Sequence, residues 1–139
     1  MNSAKLYNAE LLGLATALAG YPLSDELSLR GTARSPACGS VIEIGLKLDD
    51  RGAIARVGIR AQACAVGQAA ASIFAAKANG KQLAEIAAGL SAVEQWLAGG
   101  DLPAWPEIEA IAAARDYPAR HGAILLPWRA ALVALAAHG

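Results

Sequence analysis

The sequence predicts an α+β fold, a small three-stranded antiparallel sheet with helices packed on one face. Three observations carry this. Residues 27–62 contain runs that alternate apolar and polar with a period of two, separated by turn-rich segments. From Cys64 onward the chain is alanine-rich and is broken only at glycines and prolines, as helices are. With 139 residues, 55% hydrophobic and only 17% charged, the chain can bury the core of one domain, expected to span residues 1–139.

The elements follow in order. A first helix is expected from about Ser3 to Leu18, because Tyr7, Leu11, Leu14 and Leu18 recur at helical spacing. Lys5 and the apolar "LLGLATALAG" resemble a signal peptide, but Asn8 and Glu10 stand where its apolar segment would begin, which favours an amphipathic helix. Leu27 and Leu29, alternating with Glu26, Ser28 and Arg30, read as the first strand. The turn "SPACGS", residues 35–40, leads into a second strand from Val41 to Leu48. Asp49-Asp50-Arg51-Gly52 is a tight turn with glycine where positive φ is tolerated. The third strand carries Ala53, Ala55, Val57, Ile59 and Ala61 on one face and Ile54, Arg56, Gly58, Arg60 and Gln62 on the other. A turn this short makes strands two and three a hairpin.

The helical part opens after Cys64 and stops at Asn79-Gly80. "KQLAEIAAG" reads as a shorter helix ending at Gly89, and Ser91 with Glu94 as a capping box for another that Gly99-Gly100 ends. Pro106 suits the first turn of a helix towards Arg115, which Pro118 terminates. A last helix runs from Arg120 or His121 to Ala137. Pro127 costs an internal hydrogen bond there unless the helix starts near Leu126.

Composition excludes several function classes. Basic and acidic residues number 12 each, so nothing argues for a nucleic-acid or anionic-membrane partner. No run reaches the length of a membrane span, and a cytoplasmic protein is expected. Two cysteines make no disulfide framework. Phosphate-cradling glycine loops, nucleophile elbows and HExxH motifs are absent from the sequence.

Chemistry therefore rests on Cys38, Cys64, His121 and His138, the last beside the C-terminus. Arg34, Arg56, Arg60 and Arg120 could line a site, but exposed arginines usually only solvate a surface. Cys38 precedes strand two and Cys64 follows strand three. In an antiparallel hairpin those points share one end of the sheet. Cys64 also opens a helix, whose dipole favours thiolate. Two such thiols could be unrelated buried cysteines, could bind a soft metal or an iron–sulfur cluster, or could pass on sulfur.

"SPACGS" before a strand, "ACAVGQAAAS" at a helix start and "YPARHGAILLPW" near the end resemble, in order, the NifU/IscU/SufU-type iron–sulfur scaffold proteins. The stretch from Ser91 to Tyr117 and the closing Arg120 with Leu126-Pro127-Trp128 look most like the SufU branch. The leucine-proline-proline-valine-lysine motif of the IscU branch is missing. The resemblance implies a NifU-like sandwich that is not an enzyme. It implies a labile [2Fe–2S] cluster, iron or zinc held by three cysteines and an aspartate, with a cysteine desulfurase and cluster acceptors as partners. Carried over by position, Cys38 and Cys64 stand at two ligand positions. The aspartate position is Ser40, the third cysteine position is Ala123, and the neighbouring lysine or histidine position is Gly122, with His121 one residue earlier. A tetrahedral site wants four donors. His121 could supply a third, or a homodimer could share the metal. Two other readings stay open: a module that keeps the fold and a desulfurase-binding surface without a cluster, and a sulfur carrier with Cys64 as nucleophile and His121 as base.

Overall fold

The computed structural model describes residues 6–138, and side chains as far as residue 137. The sheet has the order β1-β2-β3, with β1 at Leu29–Arg34, β2 at Val41–Leu48 and β3 at Ile54–Gln62, antiparallel throughout. Helices α1 (Ala9–Ala17), α2 (Ala65–Lys77), α3 (Leu83–Leu97) and α4 (His121–His138) accompany it, with 3₁₀ segments at Leu18–Gly20, Ile108–Asp116 and Pro118–Arg120. This is the expected α+β arrangement.

One face of the sheet carries the core. Ile42, Ile44 and Leu46 of β2 are wholly buried. Helix α4 lies directly on β1, because Gly31 has no β-carbon and the α4 backbone at Ala130 and Ala134 fills that space. Farther out, Phe74, Trp105 and Trp128 close a cluster. Phe74 stacks on Trp105 at 5.5 Å, and Trp128 meets both rings edge-on at 5.4 and 5.2 Å. Such contacts add roughly 0.5–1.5 kcal/mol each beyond simple burial.

The opposite face is covered only in part. Gly45 and Gly58 pair across β2 and β3, and their missing side chains let Leu27 lie flat over them, 1% exposed. Leu27 is therefore not a strand residue, as its alternation with Leu29 suggested. It belongs to a turn pinned by Arg30, whose Nε and Nη2 donate to the carbonyls of Leu27 and Ser24 at 2.7 and 2.8 Å.

Several local expectations are corrected in the same way. Helix α1 begins at Ala9, where Asn8 Oδ1 caps it by accepting from Leu11 N at 2.8 Å; Ser3 lies outside the described residues. Ile54 is 1% exposed although it was placed on the face of Arg56. A register shift opposite Lys47/Leu48 inserts Ala55 as an extra residue and turns Ile54 inward. Helix α3 is continuous through Gly89, and its capping box is Gln82 with Glu85 rather than Ser91 with Glu94. Gly89 is a packing residue: a β-carbon there would stand 2.9 Å from Trp128 Nε1. The stretch towards Arg115 is 3₁₀, kinked at Ile111, and α4 starts at His121 with Pro127 inside it. The turn at Asp49 is as expected, with Gly52 at φ 80° and Asp49 Oδ1 accepting from Arg51 N and Ala53 N.

Candidate functional site

The hairpin register brings the cysteines to one end of the sheet. Val41 pairs with Gln62, so the loop bearing Cys38 and the α2 start bearing Cys64 leave the sheet side by side. Both thiols are free; Cys38 is exposed and Cys64 half-buried.

The Cys38 loop is held by its own backbone. Ser35 N donates to Ser40 O at 2.9 Å, and Gly39 N to Ser35 O at 2.8 Å, which closes a six-residue turn. Gly39 makes this turn at φ 72°, a conformation glycine adopts without strain. Ser35 and Ser40 are each 4% exposed, and both hydroxyls serve Cys38; the Ser40 Oγ lies 3.1 Å from the sulfur. The Ser35 hydroxyl first, and the Ser40 hydroxyl next, hold the Cys38 thiol below its ordinary pKa, because hydrogen bonds to sulfur favour its charged form. The position read as a lost carboxylate ligand thus serves the thiol beside it.

Cys64 occupies the N-cap position of α2 in extended geometry, φ −66° and ψ 171°, and its side chain makes no cap hydrogen bond. Its carbonyl receives Gln68 N at 2.9 Å, and the Gln68 side chain closes back onto Ala63 O.

Arg120 lies within electrostatic range of both thiols. Its Nε and Nη2 donate to the Tyr7 hydroxyl at 3.2 and 3.0 Å. Those bonds, with the charge that Tyr7, Cys64 and Cys38 can carry, raise its pKa further and keep the guanidinium protonated. Arg120 is thus anchored by Tyr7 at this end of the fold rather than left free in solvent. Tyr7 and Ser35 were not foreseen at all; Tyr7 read as part of a helical stripe and Ser35 as a turn former. The only available signal was the spacing of two serines around Cys38.

Ala123 and Gly122 also reach this end. Ala123 is wholly buried, and a β-carbon on Gly67 of α2 would come within 3.1 Å of its methyl. A side chain at Gly122 would run into the Ser35 hydroxyl. The residue that the resemblance sets at the third-cysteine position thus lies at the cysteine end and carries only a methyl group. His121 is turned elsewhere: its Nε2 meets Arg115 O at 2.7 Å. A carbonyl only accepts, so Nε2 carries the hydrogen and only Nδ1 could serve a metal. Among the described residues no three His, Cys, Asp or Glu side chains gather as a metal site, so Cys38, Cys64 and His121 form no ready ligand set. A four-donor centre within one chain does not fit these residues.

Fold and site together define a small α+β thiol-bearing module, with two cysteines presented at one sheet end beside an arginine. Residues 20–122 match the family model of the NifU-like N-terminal domain, and the chain belongs to that family, one of iron–sulfur cluster assembly scaffolds rather than enzymes. A NifU-like protein (N-terminal) from Brucella abortus is similar over 96% of this chain and 94% of its own, with 28% identity and a TM-score of 0.86. A protein from Fervidobacterium islandicum, described as an iron–sulfur cluster assembly scaffold for the SUF system, shares the fold. It is 18% identical, with a TM-score of 0.82, over 96% of this chain and 99% of its own. No match is found among curated proteins. No helix among the described residues is long and apolar enough to cross a membrane.

Proposed function

We propose that the chain serves iron–sulfur cluster assembly as a two-thiol site. Cys38 and Cys64 are the donors it offers to iron, zinc or a labile [2Fe–2S] cargo, and the remaining donors come from a second molecule: a cysteine desulfurase, a cluster acceptor or another copy of the chain. The observation that supports this reading is the placement of two free thiols at one end of the sheet, where the Cys38 loop and the α2 start leave the Val41–Gln62 pair together. Ser40 and Ala123 in place of two family ligands are the reason the set is completed from outside. Anaerobic purification with quantification of zinc, iron and sulfide tests it, alongside Cys38→Ser and Cys64→Ser. One metal ion or one cluster shared between two chains, lost in either variant, supports the reading. A chain that stays metal-free when iron, sulfide and a desulfurase are supplied overturns it.

A second reading is favoured by the lowered thiol of Cys38. The Cys38 thiolate takes the outer sulfur of a donor persulfide, whose S–S bond breaks as the donor thiolate leaves. This assigns the nucleophile to Cys38, where the sulfur-carrier alternative read from the sequence had it at Cys64. Mass spectrometry after incubation with a desulfurase and cysteine distinguishes the two: one added sulfur on Cys38 supports it, and none on Cys38 removes it.

A further inference from the structure

The chain as a whole is balanced in charge, but the outer face of the sheet is not. Residues paired directly across antiparallel strands point to the same side. The pairings Arg34–Val41–Gln62, Thr32–Glu43–Arg60, Arg30–Gly45–Gly58 and Lys47–Arg56 therefore place Arg30, Arg34, Lys47, Arg56 and Arg60 on one face, with Glu43 as the strand carboxylate among them, while Glu26 pairs with Arg56 at 2.7 Å. Glu43 serves two arginines at once, Arg30 at 3.3 Å and Arg60 at 3.4 Å. One carboxylate cannot neutralise both, and Arg60 remains 71% exposed. Arg34 is exposed and makes no ion pair among the described residues.

Leu27 and Pro22 cover the Gly45–Gly58 row and divide this face. The half that stays open, Arg34 and Arg60 with Thr32 and Gln62 around Glu43, adjoins the cysteines. Its last row, Arg34–Val41–Gln62, is the one from which the Cys38 loop and the α2 start depart.

We propose that this half of the outer face is the docking surface for a protein partner with clustered carboxylates, seated so that its edge reaches Cys38. The inference takes its purpose from the two-thiol reading, but its geometry stands apart from it. Charge complementarity selects the occupant, since exposed arginines with one shared carboxylate attract an acidic surface and steer its approach. A nucleic acid fits less well: Glu43 interrupts the phosphate track, and the rows hold no aromatic ring on which a base could stack.

The test uses the full chain and a fluorescein-labelled glutamate-rich peptide, followed by anisotropy at low salt and by amide chemical shifts. The expected shifts cluster at Thr32, Arg34, Val41, Glu43, Arg60 and Gln62. Arg34→Glu with Arg60→Glu weakens binding by about tenfold or more, and Arg129→Glu on α4 leaves it unchanged. Circular dichroism confirms that each variant is folded. The measurement is repeated on the Cys38→Ser, Cys64→Ser double variant, so that failure of the thiol reading cannot pass for failure of the docking face. Shifts located elsewhere, unchanged affinity after the double charge reversal, or tighter binding of a single-stranded oligonucleotide of equal charge would each overturn the proposal.

Discussion

The Tyr7 hydroxyl accepts two hydrogen bonds from the Arg120 guanidinium, at 3.2 and 3.0 Å, across almost the whole length of the chain. This pair ties the segment ahead of α1 to the residue that leads into α4, at the cysteine end of the sheet. Tyr7→Phe keeps the ring and removes the acceptor. It should cost about 1 kcal/mol, the usual net value of a partly exposed hydrogen bond. Urea unfolding checks this; an unchanged midpoint would show that Arg120 keeps its place without Tyr7.

The Cys38 loop has a pH signature. Its folded pKa lies below the ordinary thiol value of 9.0, chiefly through Ser35 and then Ser40. A depressed acid stabilises the fold most above the unfolded pKa, and that contribution is lost as pH falls through the folded value. Stability relative to Cys38→Ser should therefore rise with pH between the two values. The midpoint of Cys38 alkylation against pH should lie below 9.0. Ser35→Ala should move it up more than Ser40→Ala does. A larger shift from Ser40→Ala would reverse the assigned order.

Ala123 offers a gain-of-function test. The position is buried beside Gly67 at the cysteine end, and a thiol adds one heavy atom there. Ala123→Cys should raise zinc affinity by about tenfold or more in competition with a chelator, since it supplies a third thiolate to a metal that wants four donors. Adding Ser40→Asp should raise it further. Affinity that does not change in the triple-thiol variant would mean that the α4 start does not face the site.

Gly89 separates packing from propensity. Alanine in the middle of α3 gains about 1 kcal/mol of helix propensity. Its β-carbon would stand 2.9 Å from Trp128 Nε1 and 3.3 Å from Trp105 Cζ3, both in buried rings with little room to move. Overpacking costs roughly 1–3 kcal/mol, so Gly89→Ala should lower the melting temperature on balance. A rise would mean that the indoles give way.

Much of the fold is legible in local patterns. The bounds of β2, the Gly52 turn, the hairpin and the stop after α2 follow from alternation and glycine chemistry, which act within a few residues. The misread places share a physical cause. Gly89 and Leu27 looked like a helix stop and a strand residue. Their roles are set instead by Trp128 and by the Gly45–Gly58 row, far away in sequence. Ile54 was assigned to the wrong face because a bulge resets the period of two.

The candidate site divides in the same way. By itself the sequence determined that Cys38 and Cys64 share an end of the sheet, because strand direction decides this. Only the tertiary structure decided what surrounds the thiols. Ser35 and Ser40 turn to Cys38, Arg120 comes in from the α4 start with Tyr7 behind it, and His121 turns away to the Arg115 carbonyl. Those contacts join residues as far apart as 7 and 120. Side-chain partnership at that separation is set by how the helices dock on the sheet, and local periodicity carries no record of it.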